Sequence, residues 1–349
     1  MIFALDDKER KKIVSLFNQH EKNIDYLLYL QGFIWEMPTF LNGEVKGKDR
    51  FQIRDYLFEQ LEKEHPFPND FIKSNIKWDT QLIRTEDFLS NPYIKALKNL
   101  SFSKDGWSLT NKKLEAYSIF PYEEEYHYGS NYSLKMNLAY FDEDYIYPSI
   151  SLFDREWMSL NPYEIRTMAT AVITTKGKVL TLGLGLGYYA YMVHLRDEVK
   201  EVHIVEMDLE LIKVFNECLL PLFPHPEKIH IHKADAFRFI ENINDKDYDF
   251  IFSDLWHDVG DGLSSYLKLK ERFNKFSYTK CHYWIESSII TYLRLLVIGV
   301  MKDEYYKIDN DYDEIQSAIK EKLHGCTISN SYDLDNLLNI QGLNKLLFN

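Results

Sequence analysis

Cysteine is scarce: three occur in 349 residues, Cys218, Cys281 and Cys326, far apart and without a CxxC pair. An odd, scattered set gives neither a disulfide framework nor a cysteine zinc site, and it fits a reducing compartment. Positive charge is also short, with 41 Lys and Arg against 54 Asp and Glu and a net charge of −13. Neutralising phosphates takes a Lys/Arg surface, so nucleic acid is not expected as the main partner. Long apolar runs are missing too. The most apolar segment, 289–301, has 13 residues and contains Arg294. It is too short to span a bilayer and predicts a buried helix. The opening MIFALDDKERKK turns charged after five residues and offers no apolar leader. The expectation is a soluble, cytoplasmic protein with no membrane partner.

What is present describes an ordinary globular chain, 45% hydrophobic and 27% charged. Its length favours two or three domains. Aromatic residues reach 15%, mainly 25 Tyr and 22 Phe. Such rings suit a core and a pocket for a flat or cationic ligand.

Residues 1–105 carry apolar positions at three- and four-residue spacing between charges and predict a helical N-terminal region. Residues 106–158 change to short alternating aromatic runs (LEAYSIFPY, YSLKMNLAYF, DYIYPSISLF), a small β-rich bridging segment. In SLNPYEIR, Asn161 reads as an N-cap, Pro162 as the first helical position and Glu164 as the partner in a capping box. From Lys178 strands and helices alternate: KVLTLG, EVHIVEMD, KIHIHKAD, DYDFIFSD and CHYWIE read as strands with helices between. That alternation predicts an α/β fold with a doubly wound parallel sheet and a ligand at the strands' carboxyl ends. Residues 303–349 read as a polar, mostly helical extension. Two more strands would complete a seven-stranded sheet, and no sequence segment presents itself for them.

The first strand runs into TLGLGLGYYAYM. A phosphate loop would need Gly-Lys-Ser/Thr, which Gly187-Tyr188-Tyr189 lacks. The dinucleotide pattern fails from Gly183 and fits only its alanine variant, from Gly185 to Ala190. The strand ends say more. Glu206 ends the second strand, where one carboxylate can accept both ribose hydroxyls. Asp235 ends the third, where an acid and the next amide, Ala236, can pair with adenine. Asp254 ends the fourth and points into the same crevice. A helix-capping role is open to each acid.

Taken in order, KVLTLGLGLGYYAYM, VHIVEMD, HKADAFRFI and YDFIFSD resemble the motifs of class I S-adenosyl-L-methionine (SAM)-dependent methyltransferases. Within that superfamily they are similar to spermidine synthases and their relatives, with VVEID, GDG-F and YDVI-x-D at the matching places. The resemblance spans about residues 150–290. It implies a SAM-binding Rossmann-like domain over 159–302, with Gly183, Gly185 and Gly187 beside the methionine part. Glu206 would hold the ribose, Asp235 and Ala236 the adenine, and Asp254 would bind cofactor and face the reacting centre. His257 and Asp258 lie just past the fourth strand, where a general base belongs.

Two departures set the expected reaction. Spermidine synthases carry an aspartate inside GGGDGG, where this chain has Leu186. Their DSSDP-like run is SDLWHDVGD here, without the proline. The expectation is therefore methyl transfer to a small-molecule or peptide-borne acceptor. The alternatives are aminopropyl transfer to an amine and a SAM-binding module without catalysis. FSDLWHD also resembles FLDHWKD of catechol-type O-methyltransferases. That likeness would place His257 as base and Glu286 as a second magnesium ligand, but the expected site holds no metal. A homo-oligomer is compatible with all of these readings. The acidic run YEEEYHYG (122–129) reads either as a lure for a cationic amine or as a solvated, charge-protected edge.

Overall fold

The structure, a computed structural model, describes residues 1–35, 45–78, 80–129, 131–153 and 155–348. Its centre is a five-stranded parallel sheet: β1 (Gly177–Leu182), β2 (Val199–Glu206), β3 (Ile229–Lys233), β4 (Phe250–Ser253) and β5 (Lys280–Tyr283). The order is β3-β2-β1-β4-β5, with every neighbouring pair parallel. Middle strands are covered on both faces, which is why their sequences read as continuous apolar runs. Val179, Leu180, Leu182, Val202, Ile204 and Ile251 are all buried. β3 forms an edge, and its IHIHK sequence is polar and half-buried.

Five helices connect and follow the strands: α1 (Tyr188–His194), α2 (Leu209–Val214), α3 (Ala236–Glu241), α4 (Val259–Phe273) and α5 (Glu286–Tyr306). Three of the five start at side chains that satisfy orphan backbone N–H groups. Asp208, Asp235 and Asp258 cap α2, α3 and α4 in turn. The sheet order reverses at β1, between β2 and β4. In open parallel sheets that reversal opens a crevice at the carboxyl ends. This is a mixed α/β, Rossmann-like arrangement.

Before the sheet, the helices Asp7–Tyr29, Arg50–Glu64 and Asp70–Trp78 precede a set of β elements. Four antiparallel strands, Phe102–Lys104, Trp107–Leu114, Tyr145–Leu152 and Arg155–Ser159, form one sheet. A helix over Pro162–Thr174 then leads into β1, with Asn161 accepting from the Glu164 amide at 2.9 Å. The capping box expected there does not close. The Glu164 carboxylate instead accepts at 3.4 Å from the Ser159 amide and from the Asn161 side chain. After α5 the chain adds no strand to the central sheet among the described residues. It forms the helices Glu314–Leu323, Ser331–Leu338 and Ile340–Phe348, and Thr327–Ile328 pairs in parallel with Ile2–Phe3. No helix among the described residues is long and apolar enough to cross a membrane.

Candidate active site

Where the sheet order reverses, a cavity of about 510 Å³ opens at the carboxyl ends of β1 to β4. Its floor is the glycine loop. Gly183 has φ of +96°, and a Cβ there would lie 2.0 Å from the Asp254 carbonyl oxygen, so only glycine lets the ends of β1 and β4 meet. Gly185, also at positive φ, takes the Met158 sulfur where its Cβ would stand, at 2.6 Å. Gly187 serves as the left-handed cap of α1 and does not line the cavity. Leu186 is fully buried beneath the loop, its amide on the Met158 sulfur and its carbonyl accepting from the Tyr93 hydroxyl at 2.6 Å.

Glu206 ties the loop to β2. One carboxylate oxygen accepts from the Leu184 amide at 3.2 Å, the other from the Met207 and Asp208 amides at 2.7 and 2.8 Å. Burial pushes its carboxyl up, and the three amides oppose that shift. Asp235 and Ala236 line the next part of the wall. Asp235 also accepts from the Arg238 amide at 2.9 Å, so the helix-capping role holds for it alongside its place in the cavity.

Asp254 lines the cavity where the ends of β1 and β4 meet. Its carboxylate accepts no hydrogen bond among the described residues, and burial raises its pKa from 3.8 to about 7. Glu164 lies across from it; burial raises its carboxyl well above the ordinary range, and repulsion from Asp254 adds to the shift. Two acids that face each other out of water cannot both ionise cheaply. His257 lines the mouth. Its Nδ1 is 3.2 Å from Asp261, and its ring meets the Trp157 ring edge-on at 4.6 Å. Its Nε2 is buried and makes no hydrogen bond. Asp258 does not join the group, because its carboxylate is spent on the Gly260 and Asp261 amides at 2.7 and 3.1 Å.

The opposite wall was missed in the sequence. Glu156, Trp157 and Met158 all line the cavity, although consecutive strand residues ordinarily face opposite ways. The reason is a bulge: Glu156 pairs with Ser151 and Met158 with Ile150, leaving Trp157 unpaired between them. A bulge re-aims side chains in this way. Trp256 and Trp284 add two more rings, and no lysine or arginine lines the cavity among the described residues.

Two readings of the sequence are corrected here. Glu286 is held by the Tyr266 hydroxyl at 2.9 Å and the Lys270 ammonium at 2.7 Å, and it joins no metal-binding group with Asp254 among the described residues. The acidic run of 122–129 is neither a lure nor a solvated edge. Glu123 pairs with Arg166, while the partly buried Glu124 and the buried Glu125 accept from Ser288 in the first turn of α5.

Residues 163–281 match the family model of the spermine/spermidine synthase domain, from the helix before β1 into β5. No curated protein matches the sequence. Among solved structures, a spermidine synthase from Thermotoga maritima is similar with a TM-score of 0.32 and 12% identity, covering 56% of this chain and 61% of that one. A spermidine synthase in complex with the transition state analogue AdoDATO gives 0.34 and 12%, covering 56% and 63%. The chain thus spans less than two thirds of either neighbour's length. The family match overturns the expectation of methyl transfer: the segment that carries the glycine loop and all three strand-end acids matches a spermine/spermidine synthase domain.

Proposed function

We propose that the chain is a transferase of the spermidine-synthase kind, moving an aminopropyl group from decarboxylated SAM to an amine. The observation that carries this reading is the pair of partly buried acids with raised carboxyl pKa values, Glu164 and Asp254, in a cavity without a lysine or arginine lining it among the described residues. A methionine carboxylate would find no cationic side chain there, whereas an ammonium finds acids and indole rings. Decarboxylated SAM has lost that carboxylate and ends in an ammonium.

The nucleoside half would rest on Glu206, through the ribose hydroxyls, and on Asp235 and Ala236, through adenine. The acceptor amine would enter between Trp157, Trp284 and the acids. Its nitrogen attacks the propyl carbon bound to sulfur. The N–C bond forms, the C–S pair goes to sulfur, and methylthioadenosine leaves. The amine's proton passes to a carboxylate, and Asp254, with a pKa near 7, is matched to accept it. In-line displacement needs alignment above all, and the two walls supply it. Leu186 stands where the resemblance expects an aspartate, so the ammonium-binding charge would come from Glu164 on the opposite wall.

The test is incubation of purified protein with decarboxylated SAM and a set of diamines and polyamines, following methylthioadenosine by chromatography. Amine-dependent methylthioadenosine that vanishes in Asp254→Asn supports the proposal. Absence of product with every amine, together with calorimetric preference for S-adenosylhomocysteine over methylthioadenosine, would sink it.

A further inference from the structure

We propose that the face formed by β2 and β3 carries a zinc-class divalent metal site made of Glu201, His203 and His230. It lies apart from the cavity and is independent of the reading given for it. The three residues come from two neighbouring parallel strands. His203 and His230 are register partners, and Glu201 stands two residues before His203, so all three side chains project from the same face of the sheet. Val205, two residues further along β2, is the nearest cavity residue on that strand, roughly 7 Å away at strand spacing.

The donor atoms already converge. His203 Nε2 lies 3.3 Å from Glu201 Oε2, and His230 Nε2 lies 3.7 Å from the same oxygen. Nitrogen and oxygen ligands at bond lengths near 2.1 Å around a tetrahedral zinc stand about 3.4 Å from one another. The observed separations fall around that edge length, and one donor atom from each residue lies within 4.8 Å of the other two.

Hydrogen bonding leaves the central ligand unfinished. His203 Nδ1 is 2.8 Å from His232 Nε2, a contact that fixes the ring as a second-shell partner does for a metal-bound histidine. The other nitrogen, Nε2, is buried and makes no hydrogen bond even though the Glu201 carboxylate is so close. Its near polar neighbour, Glu201 Oε2 at 3.3 Å, is itself a proposed ligand, so this nitrogen is not committed to a group outside the cluster. Lys178 is at 3.2 Å from Oε1 of Glu201, which neutralises part of the carboxylate's charge but leaves Oε2 facing the histidines.

Imidazole and carboxylate ligands select zinc, copper or nickel over magnesium, which prefers an all-oxygen shell. His230 is half-exposed, so the fourth position would be open to water. A metal here would staple the edge strand β3 to β2. The residues that follow β3, Ala234 and Asp235, line the cavity, so the staple would brace the adenine side of the candidate active site.

The test is calorimetric titration of chelator-stripped full-length protein with zinc sulfate, and with magnesium chloride as the hard-cation comparison. One equivalent of zinc and no magnesium is expected in the wild type. Glu201→Gln and His230→Gln, both toward the surface, should each weaken zinc by more than tenfold, while His225→Gln, outside the cluster, should leave it unchanged. Circular dichroism checks that each variant is folded. Absence of saturable zinc binding, or binding that persists in both cluster variants, would overturn the site. So would an equal loss in His225→Gln.

Discussion

The two walls of the cavity are built on opposite electrostatic terms. On the sheet wall, Glu206 accepts three backbone N–H bonds and Asp235 one, so the acids expected to meet a nucleoside are already held in place. In the depth facing the antiparallel pair Tyr145–Leu152 and Arg155–Ser159, the hairpin wall, Asp254 has no partner among the described residues and Glu164 has only long contacts of 3.4 Å. Preorganised hydrogen bonds fix geometry before a ligand arrives. Unpartnered buried acids do the reverse: they disfavour their own charge until a cation comes. On the proposed function, the contrast would divide the cavity into a hydrogen-bonded half for the nucleoside and a half that rewards an ammonium.

The largest expected effect breaks the acceptor half alone. Asp254→Asn should lower kcat/KM for aminopropyl transfer by about 10²–10⁴, the range for loss of a positioned proton acceptor. Affinity for methylthioadenosine should stay within about threefold of the wild type, since that ligand has no ammonium. If calorimetry instead finds both lost together, the two halves are not separable. Next comes Gly183→Ala, which drives a methyl into the Asp254 carbonyl at a backbone angle that disfavours side chains. A destabilisation of about 2–4 kcal/mol is expected, read as a shift in the denaturant midpoint. The nucleoside half is then probed by Glu206→Gln. It keeps the shape and weakens charge-assisted bonds, so nucleoside affinity should fall about tenfold or more, with each such bond worth about 1.5–3 kcal/mol. Calorimetry with methylthioadenosine that gives an unchanged affinity would remove Glu206 from the site.

These halves differed equally in how far the sequence revealed them. The sheet wall was readable because its residues follow local rules: an apolar strand, a glycine where backbone must close up, an acid at the strand end. Asp258 fits the same local rules and is used as a cap. The hairpin wall depends on a bulge at Trp157 and on the approach of Glu164 to Asp254, 90 residues apart in the chain. Neither leaves a periodic trace. Glu164 in particular read as a capping partner, and tertiary packing drew it into the cavity. The histidines of IHIHK read only as a strand, because their partners Glu201 and His203 are defined by register between strands rather than by spacing within one. The two further strands of a seven-stranded sheet, for which the sequence offers no segment, are absent among the described residues for another reason. Past Tyr306 the chain is too polar for a strand buried on both faces, and it closes against the N-terminal strand instead.

The smallest effect separates the halves by pH. With a folded pKa near 7 against 3.8 in the open chain, Asp254 favours the folded state most when protonated. Its contribution is full below the unfolded value and is lost as pH rises toward 7. Glu164 and Glu124 shift in the same direction, so the unliganded protein should show a falling Tm between about pH 4 and 7. An ammonium ligand reverses the slope. It binds the ionised acid, so its affinity should rise roughly tenfold per pH unit up to about 7 and then level off. Asp254→Asn should flatten the ligand's slope while leaving the weaker pH dependence of methylthioadenosine, set by Glu206, as it was. Calorimetry with a diamine and with the nucleoside at three pH values measures both slopes on one sample. If the two ligands rise in parallel, the cavity titrates as one unit and the division into two halves fails.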